Sequence, residues 1–209
     1  MQILTITQHI SSECGENAMN TKDNQRARLT KLLMKQAYIR LMHEKQPSKI
    51  TVKDICSGAE VNRSTFYLHY TQPNDILIEL EDEAIQQVSD SLRSIGGSFE
   101  APTDARRYLL GFLRYVQRND ELFRTLLVDN SDPHFRRKLF DFAMAMTGKS
   151  FEISMEAKRK NAVYRFIISG SIDLLSEWIR SDYLIPEQAE CELLYNLCEG
   201  CIRQAEAFE

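Results

Sequence analysis

Residues 51–70 read TVKDICSGAEVNRSTFYLHY. Thr51 offers a side-chain oxygen at the start of this run and Asp54 follows three residues later, a pattern that predicts a capped helix start. That first helix ends near Gly58. After Ala59-Glu60-Val61, Asn62 is placed to cap a second short helix, RSTFYLHY. Two short capped helices joined by a tight turn are a helix-turn-helix plan. Ile55, Ala59, Val61 and Phe66 are spaced to form the buried wedge between them. The second helix then offers Arg63, Ser64, Thr65 and Tyr67 near its N-terminal end, the end that enters a major groove in such motifs. Thr51 is placed to bring a hydroxyl and free backbone N–H groups to a phosphate, with Lys49 and Lys53 beside it as neutralising charge.

Upstream, Leu29, Leu32, Leu33, Ala37 and Leu41 recur at helical spacing, and Gln46-Pro47-Ser48 stops that helix. Downstream, Pro73 fits the first turn of a helix carrying Ile76, Leu77, Leu80, Ala84, Ile85 and Val88 up to Gly96-Gly97. Every later segment also has helical periodicity: 104–117, a short stretch after Asn119-Asp120, a helix opened by Asp132-Pro133, and two long helices at 157–181 and 187–206. No run alternates as a half-buried strand does. The expected fold is all-α, with a three-helix helix-turn-helix DNA-binding head and a helical-bundle ligand-binding and dimerisation body. Residues 1–24 read as a disordered leader, 25–72 as the head and 73–209 as the body.

Charge agrees with this division. The chain of 209 residues has a net charge of −4. Residues 20–72 nonetheless hold ten Lys and Arg against four acidic residues, whereas 73–209 hold sixteen against twenty-four. A basic head on an acidic body fits nucleic acid at one end only. The five cysteines are odd in number and scattered, which argues against a disulfide framework. No stretch is long and apolar enough for a membrane span and no signal peptide is evident, so a cytoplasmic protein is expected. There is no nucleophile elbow, phosphate-binding glycine loop or metal-ligand cluster, so no enzyme, cofactor or metal is expected.

The segment ITVKDICSGAEVNRSTFYLHY, with the amphipathic helix before it, resembles the TetR family of transcriptional regulators. The shared features are Thr51 opening the second helix, Ile55-Cys56 and Gly58-Ala59-Glu60-Val61 at the turn, and Tyr67-Leu68-His69-Tyr70 closing the recognition helix. The resemblance implies phosphate contacts at Thr51, Tyr67 and His69, and base-facing positions at Arg63, Ser64 and Thr65. With Lys49, Lys53 and Asn62, these form the expected DNA-binding set. One feature departs from the family: where a Lys normally follows the closing aromatic, this chain has Thr71-Gln72-Pro73-Asn74. The body, through RNDELFRTLL, a glycine in the eighth helix and SEWIRSDYLIPEQ, resembles a TetR subgroup that includes dihydroxyacetone-operon activators.

The penultimate helix, YRFIISGSIDLLSEWI, is apolar on two sides and has to be covered on two sides, which suggests a subunit interface. The expected interface comprises Ile168, Ser171, Leu175, Trp178, Leu194, Cys198 and Cys201. Cys191, Leu194, Cys198, Cys201 and Ala205 share one helical stripe, so the CxxC reads as packing rather than as a metal or redox site. Phe112, Phe123, Phe140 and Met144 are candidates for an apolar effector pocket. The expected function is an effector-released repressor that binds a palindromic operator in double-stranded DNA as a homodimer, with a small-molecule effector. The alternative is a body that binds a partner protein, in an activator or co-regulator.

Overall fold

The computed structural model describes residues 22–95, 105–130, 132–150 and 156–207. Among these, helices α1 (Lys22–Glu44), α2 (Val52–Gly58), α3 (Arg63–His69), α4 (Pro73–Ile95), α5 (Ala105–Arg118), α6 (Asp120–Arg124), α7 (Pro133–Ser150), α8 (Ala157–Arg180) and α9 (Glu187–Glu206) follow one another without a strand. The expected leader falls outside the described residues apart from its last three, which already belong to α1. Gly96-Gly97 and Cys14 also lie outside them.

The local signals at the head operate as the sequence predicts. Thr51 Oγ1 accepts from the Asp54 amide at 3.3 Å, while the Thr51 amide donates to the Asp54 carboxylate at 2.9 Å. This reciprocal capping box satisfies two donors that the first turn of α2 would otherwise leave open. Asn62 Oδ1 accepts from the Thr65 amide at 2.7 Å and opens α3. Between the helices the Val61 amide returns to the Cys56 carbonyl, with Glu60 in the left-handed region at φ 55°. That pairing is a Schellman closure, which places Val61 against the core. Gly58 allows α2 to lie against α1: a Cβ there would stand 3.2 Å from that of Ala37.

Ile55, Ala59 and Phe66 are buried and Val61 packs at their edge, so the wedge forms. On α1 the inward stripe is Met34, Ala37, Tyr38 and Met42, whereas Leu29 and Leu33 are exposed. The helical period on α1 is right but its phase is set by Tyr38 and the methionines. The first turns of α4 complete the head core with Ile76, Leu77 and Leu80, so α4 belongs to both halves of the molecule.

The body is built on the remainder of α4. Its Gln87 accepts from the Tyr115 hydroxyl of α5 at 2.7 Å. Tyr115, Phe123 and Phe135 pack edge to face at centroid separations of 5.8 and 6.1 Å. After α6 the chain makes a π-helical turn, Thr125–Asp129, which sits on the C-terminal end of α1. There Asn130 Nδ2 donates to the Met42 carbonyl at 3.1 Å, and His43 Nδ1 stands 3.3 Å from Asp129. The α8–α9 turn is fixed to α6 by Arg124, which reaches Asp182 at 2.8 Å, and by the Tyr183 hydroxyl on Asp120. Trp178 seals that corner, donating from Nε1 to the Ile185 carbonyl at 2.6 Å.

Candidate nucleic-acid interface

Arg26 and Arg28 are exposed near the start of α1, and the other seven basic residues of the head divide into two groups. Lys31 and Lys35 are spent internally: both reach Glu79 of α4, at 2.8 and 2.9 Å, and Lys35 also reaches Glu83 at 2.5 Å. Burial would raise the pKa of Glu79, but the hydrogen bonds from the two lysines outweigh it and hold the carboxyl at about 2. Lys45 pairs with Asp54 at 2.9 Å, and with Thr51 it holds that carboxyl at about 2. Arg40 donates to the Gly58 carbonyl at 2.9 Å, closing the C-terminal end of α2. Lys49, Lys53 and Arg63, by contrast, are exposed and make no ion pair among the described residues.

These three cations surround the N-terminal ends of α2 and α3. On α3, Phe66 is wholly buried and Tyr70 nearly so, which turns Arg63, Ser64, Tyr67 and Leu68 outward together. Tyr67 is 59% exposed, its ring edge-on to Phe66 at 5.4 Å. The packed phenyl ring fixes where the phenol stands, and the hydroxyl is left for a partner. Thr65 and His69 are half-buried at the margins of the same face.

The hydroxyls are more committed than the sequence suggests. Thr51 Oγ1 donates to Asp54 at 2.7 Å, so its proton already serves the cap. Ser64 and Thr65 both donate to Asn62 Oδ1, at 2.6 and 2.8 Å. Each retains acceptor capacity, and a donor to a base would have to leave Asn62. At the start of α4, where the Lys is missing, Asp75 accepts from the Thr71 amide at 2.9 Å and the Gln72 amide at 3.0 Å. A carboxylate fills the amide donors there. The hydrophobic Leu68, 82% exposed, was not singled out from sequence, because nothing local distinguishes it from a core leucine.

In the body, helices α5, α7, α8 and α9 with the end of α4 line a half-open apolar cavity of about 280 Å3. Phe112 lines it as expected. The other three pocket candidates are corrected. Phe123 is buried in the Tyr115–Phe135 cluster, and Phe140 lies under the Arg165 guanidinium at 5.2 Å. Met144 packs on the core without lining the cavity. Phe142 and Met146, two residues further along α7 than the residues chosen, supply the wall instead.

The residues expected at the dimer interface divide between the interior and the surface. Ile168, Leu175, Trp178 and Leu194 are buried by their own chain, and Ile168, Ser171, Leu175, Leu194 and Cys198 line the cavity. The first four are covered from within, whereas Ser171 and Cys198 are half-buried. Of the seven residues, only Cys201 lies on the outward groove of α8 and α9, beside Ala162, Val163, Phe166, Leu197 and Gly200. Phe166 is 71% exposed, and a Cβ at Gly170 or Gly200 would meet nothing within 4 Å. The cysteine stripe divides accordingly: Cys191 and Cys198 point inward and Cys201 outward. Among the described residues no three metal-ligating side chains converge.

Residues 104–200 match a TetR family model described as the transcriptional regulator C-terminal region. That match lies in the C-terminal body and covers a little under half of the chain. Among solved structures, a TetR transcriptional regulator from Streptococcus agalactiae is 23% identical with a TM-score of 0.62, the match covering 88% of this chain and 97% of that one. The dihydroxyacetone kinase operon activator DhaS is 17% identical at a TM-score of 0.56, over 84% of this chain and 97% of that one. The secondary repressor NalD of Pseudomonas aeruginosa is 17% identical at 0.55, again over 84% and 97%. Among curated proteins none matches significantly. The described residues thus share the all-helical fold of these regulators, and the body matches the C-terminal region of TetR-family regulators. None of its described helices is long and apolar enough to cross a membrane.

Proposed function

We propose that this chain is a cytoplasmic repressor of the TetR family that binds a palindromic operator as a homodimer and leaves it when a small molecule fills the body cavity. The observation that carries the reading is the division of the head's cations. Lys31, Lys35, Arg40 and Lys45 serve the fold, whereas Lys49, Lys53 and Arg63 stand unneutralised around the outward face of α3. Unpaired cations clustered beside a short exposed helix gain free energy by releasing counterions from a phosphate backbone. In this reading Lys49, Lys53, Tyr67 and His69 position the head on phosphates, with Thr51 adding backbone donors at the start of α2. Arg63, Ser64 and Thr65 meet base edges, and Asn62 holds the two hydroxyls in place.

Residues 25–72 then act as the reading head and 73–209 as the effector-binding and dimerisation body, with α4 shared between them. The outward groove of α8 and α9, with its exposed phenylalanine and close-approach glycines, supports the second subunit's place. The apolar cavity, set between helices of the body, supports a small-molecule effector.

Fluorescence anisotropy with an arbitrary labelled duplex tests the electrostatic part. The triple variant Lys49→Ala, Lys53→Ala, Arg63→Ala should bind far more weakly than wild type, with a salt dependence lower by about three phosphate contacts. The triple variant Lys31→Ala, Lys35→Ala, Arg40→Ala, judged where it remains folded, should keep the wild-type salt slope. Equal slopes for wild type and the first triple variant would refute the assignment.

A further inference from the structure

The lining of the body cavity restricts what it can hold. Its described walls contain no Asp, Glu, Lys, Arg or His. Leu109, Phe112, Phe142, Met146 and Ile168 are among its lining residues, and the hydrogen-bonding side-chain groups there are hydroxyls of serine and tyrosine and one thiol. Ser171 Oγ and Cys198 Sγ face each other there at 3.6 Å. Burial pushes the Cys198 thiol up, so it stands protonated at neutral pH. A thiol is a weak hydrogen-bond partner, so the Ser171 hydroxyl can exchange it for a stronger one. Arg106 lies over the Tyr195 ring at 4.1 Å, but it is paired with Glu192 and is not part of the wall.

An ionised group entering such a space would lose its hydration with no counter-charge to replace it, at several kcal/mol per ion. A neutral hydroxyl or carbonyl costs less, and a hydrogen bond to Ser171 offsets much of that. Size sets a second limit. A dry apolar cavity of roughly 150 Å3 holds one benzene, so about 280 Å3 corresponds to two fused rings or a chain of roughly ten carbons.

We propose that the effector is an uncharged, mostly hydrocarbon molecule of about this size, with at most one neutral polar group, which hydrogen-bonds Ser171. The proposal rests on the effector role given to this cavity above, and it names the class of ligand.

The test uses the full chain and the fluorescent reporter N-phenyl-1-naphthylamine, competed at pH 7 by 1-decanol, decanoate and decylammonium below their aggregation concentrations. The three share a chain length and differ in head-group charge. 1-Decanol should displace the reporter at a concentration at least about 100-fold lower than either ion. Ser171→Ala should weaken 1-decanol about fivefold and leave naphthalene binding unchanged. Ser171→Phe, which places a ring in space that is already empty, should keep the helical circular dichroism spectrum and abolish binding of reporter and alcohol. If decanoate or decylammonium competes as well as the alcohol, the neutral-ligand proposal is overturned while the cavity remains an effector site. If the phenylalanine variant binds as wild type does, the ligand lies elsewhere and the proposal falls. If neither the reporter nor any competitor binds the wild type, both this proposal and the effector reading fail.

Discussion

The carboxylate of Glu81, wholly buried on α4, accepts a hydrogen bond from Nδ1 of His134 on α7 at 2.5 Å. Lys138 stands 3.1 Å from the same oxygen and 2.5 Å from the neighbouring Asp82. The first turns of α4 pack in the head and its Leu92 reaches the cavity, which α7 lines with Leu139, Phe142 and Met146. The Glu81–His134 contact therefore joins the helix shared with the head to a wall of the cavity.

Because Glu81 is the buried member of this cluster and His134 is largely exposed, removing one side should cost more than removing the other. His134→Ala with Lys138→Ala leaves a carboxylate uncompensated in the interior and should lower stability by about 3 kcal/mol or more. Glu81→Met removes the buried carboxylate, returns His134 to solvent and Lys138 to Asp82, and should change stability by less than about 1 kcal/mol. Urea denaturation midpoints measure both. A larger loss in Glu81→Met than in the double variant would contradict the burial argument.

Glu60 holds the left-handed position of the helix-turn-helix turn, at φ 55°. A side chain there costs roughly 1–2 kcal/mol. Glycine would avoid that cost, against an unfolded-state penalty of roughly 0.5–1 kcal/mol. Glu60→Gly should therefore stabilise the chain by about 0.5–1 kcal/mol and raise its melting temperature by a few degrees. Glu60→Val should lower it. Differential scanning calorimetry distinguishes the two directions.

How much was legible in the sequence depended on the range of the interaction. The Thr51–Asp54 box, the Asn62 cap and the wedge of Ile55, Ala59 and Phe66 are set within a few residues of chain, so spacing alone identifies them. The cavity wall is different. Along α7 the run FDFAMAM places a phenylalanine and a methionine on both of two nearly opposite faces, so periodicity cannot choose Phe142 and Met146 over Phe140 and Met144. The same holds for α8 and α9, which are apolar on two sides. Only packing between elements distant in sequence decides that Trp178 and Leu194 face inward and Phe166 and Leu197 outward. The charge asymmetry was legible as a total, but which lysines are spent on Glu79 and Asp54 depends on contacts between residues distant in sequence.

Acid should loosen the head first. Glu79 and Asp54 are held at about 2, below their ordinary values of 4.5 and 3.8. A carboxylate whose pKa is lower in the folded chain contributes stability above its unfolded pKa and loses it as the pH falls through the folded one. The contribution is complete above about pH 5 and fades between there and about pH 2. Glu79→Gln should flatten the decline of stability between pH 5 and pH 2.5, read by urea denaturation at fixed ionic strength. A slope equal to wild type would show that the Lys31–Glu79–Lys35 cluster does not govern it.

Phe166→Glu or Leu197→Glu should give folded monomers, since both side chains already face outward. Leu194→Glu should unfold the chain by burying a charge in its own core. Light scattering and circular dichroism together separate these outcomes. A folded dimer in both outward variants would move the subunit interface away from α8 and α9.

Selection from random duplexes at moderate salt, followed by titration of the enriched sites, tests the DNA-reading head most directly. The account predicts enrichment of two matched half-sites related by a two-fold axis. Tyr67→Phe and Lys53→Ala should weaken binding to every sequence alike, because phosphate contacts position without specifying. Thr51→Ser should preserve both the cap and the binding. Arg63→Ala or Ser64→Ala should alter base preference, by roughly 1–3 kcal/mol for each lost base contact. Failure of any duplex to enrich, with the dimer intact and with cell extract present as a source of effector, would contradict the central claim.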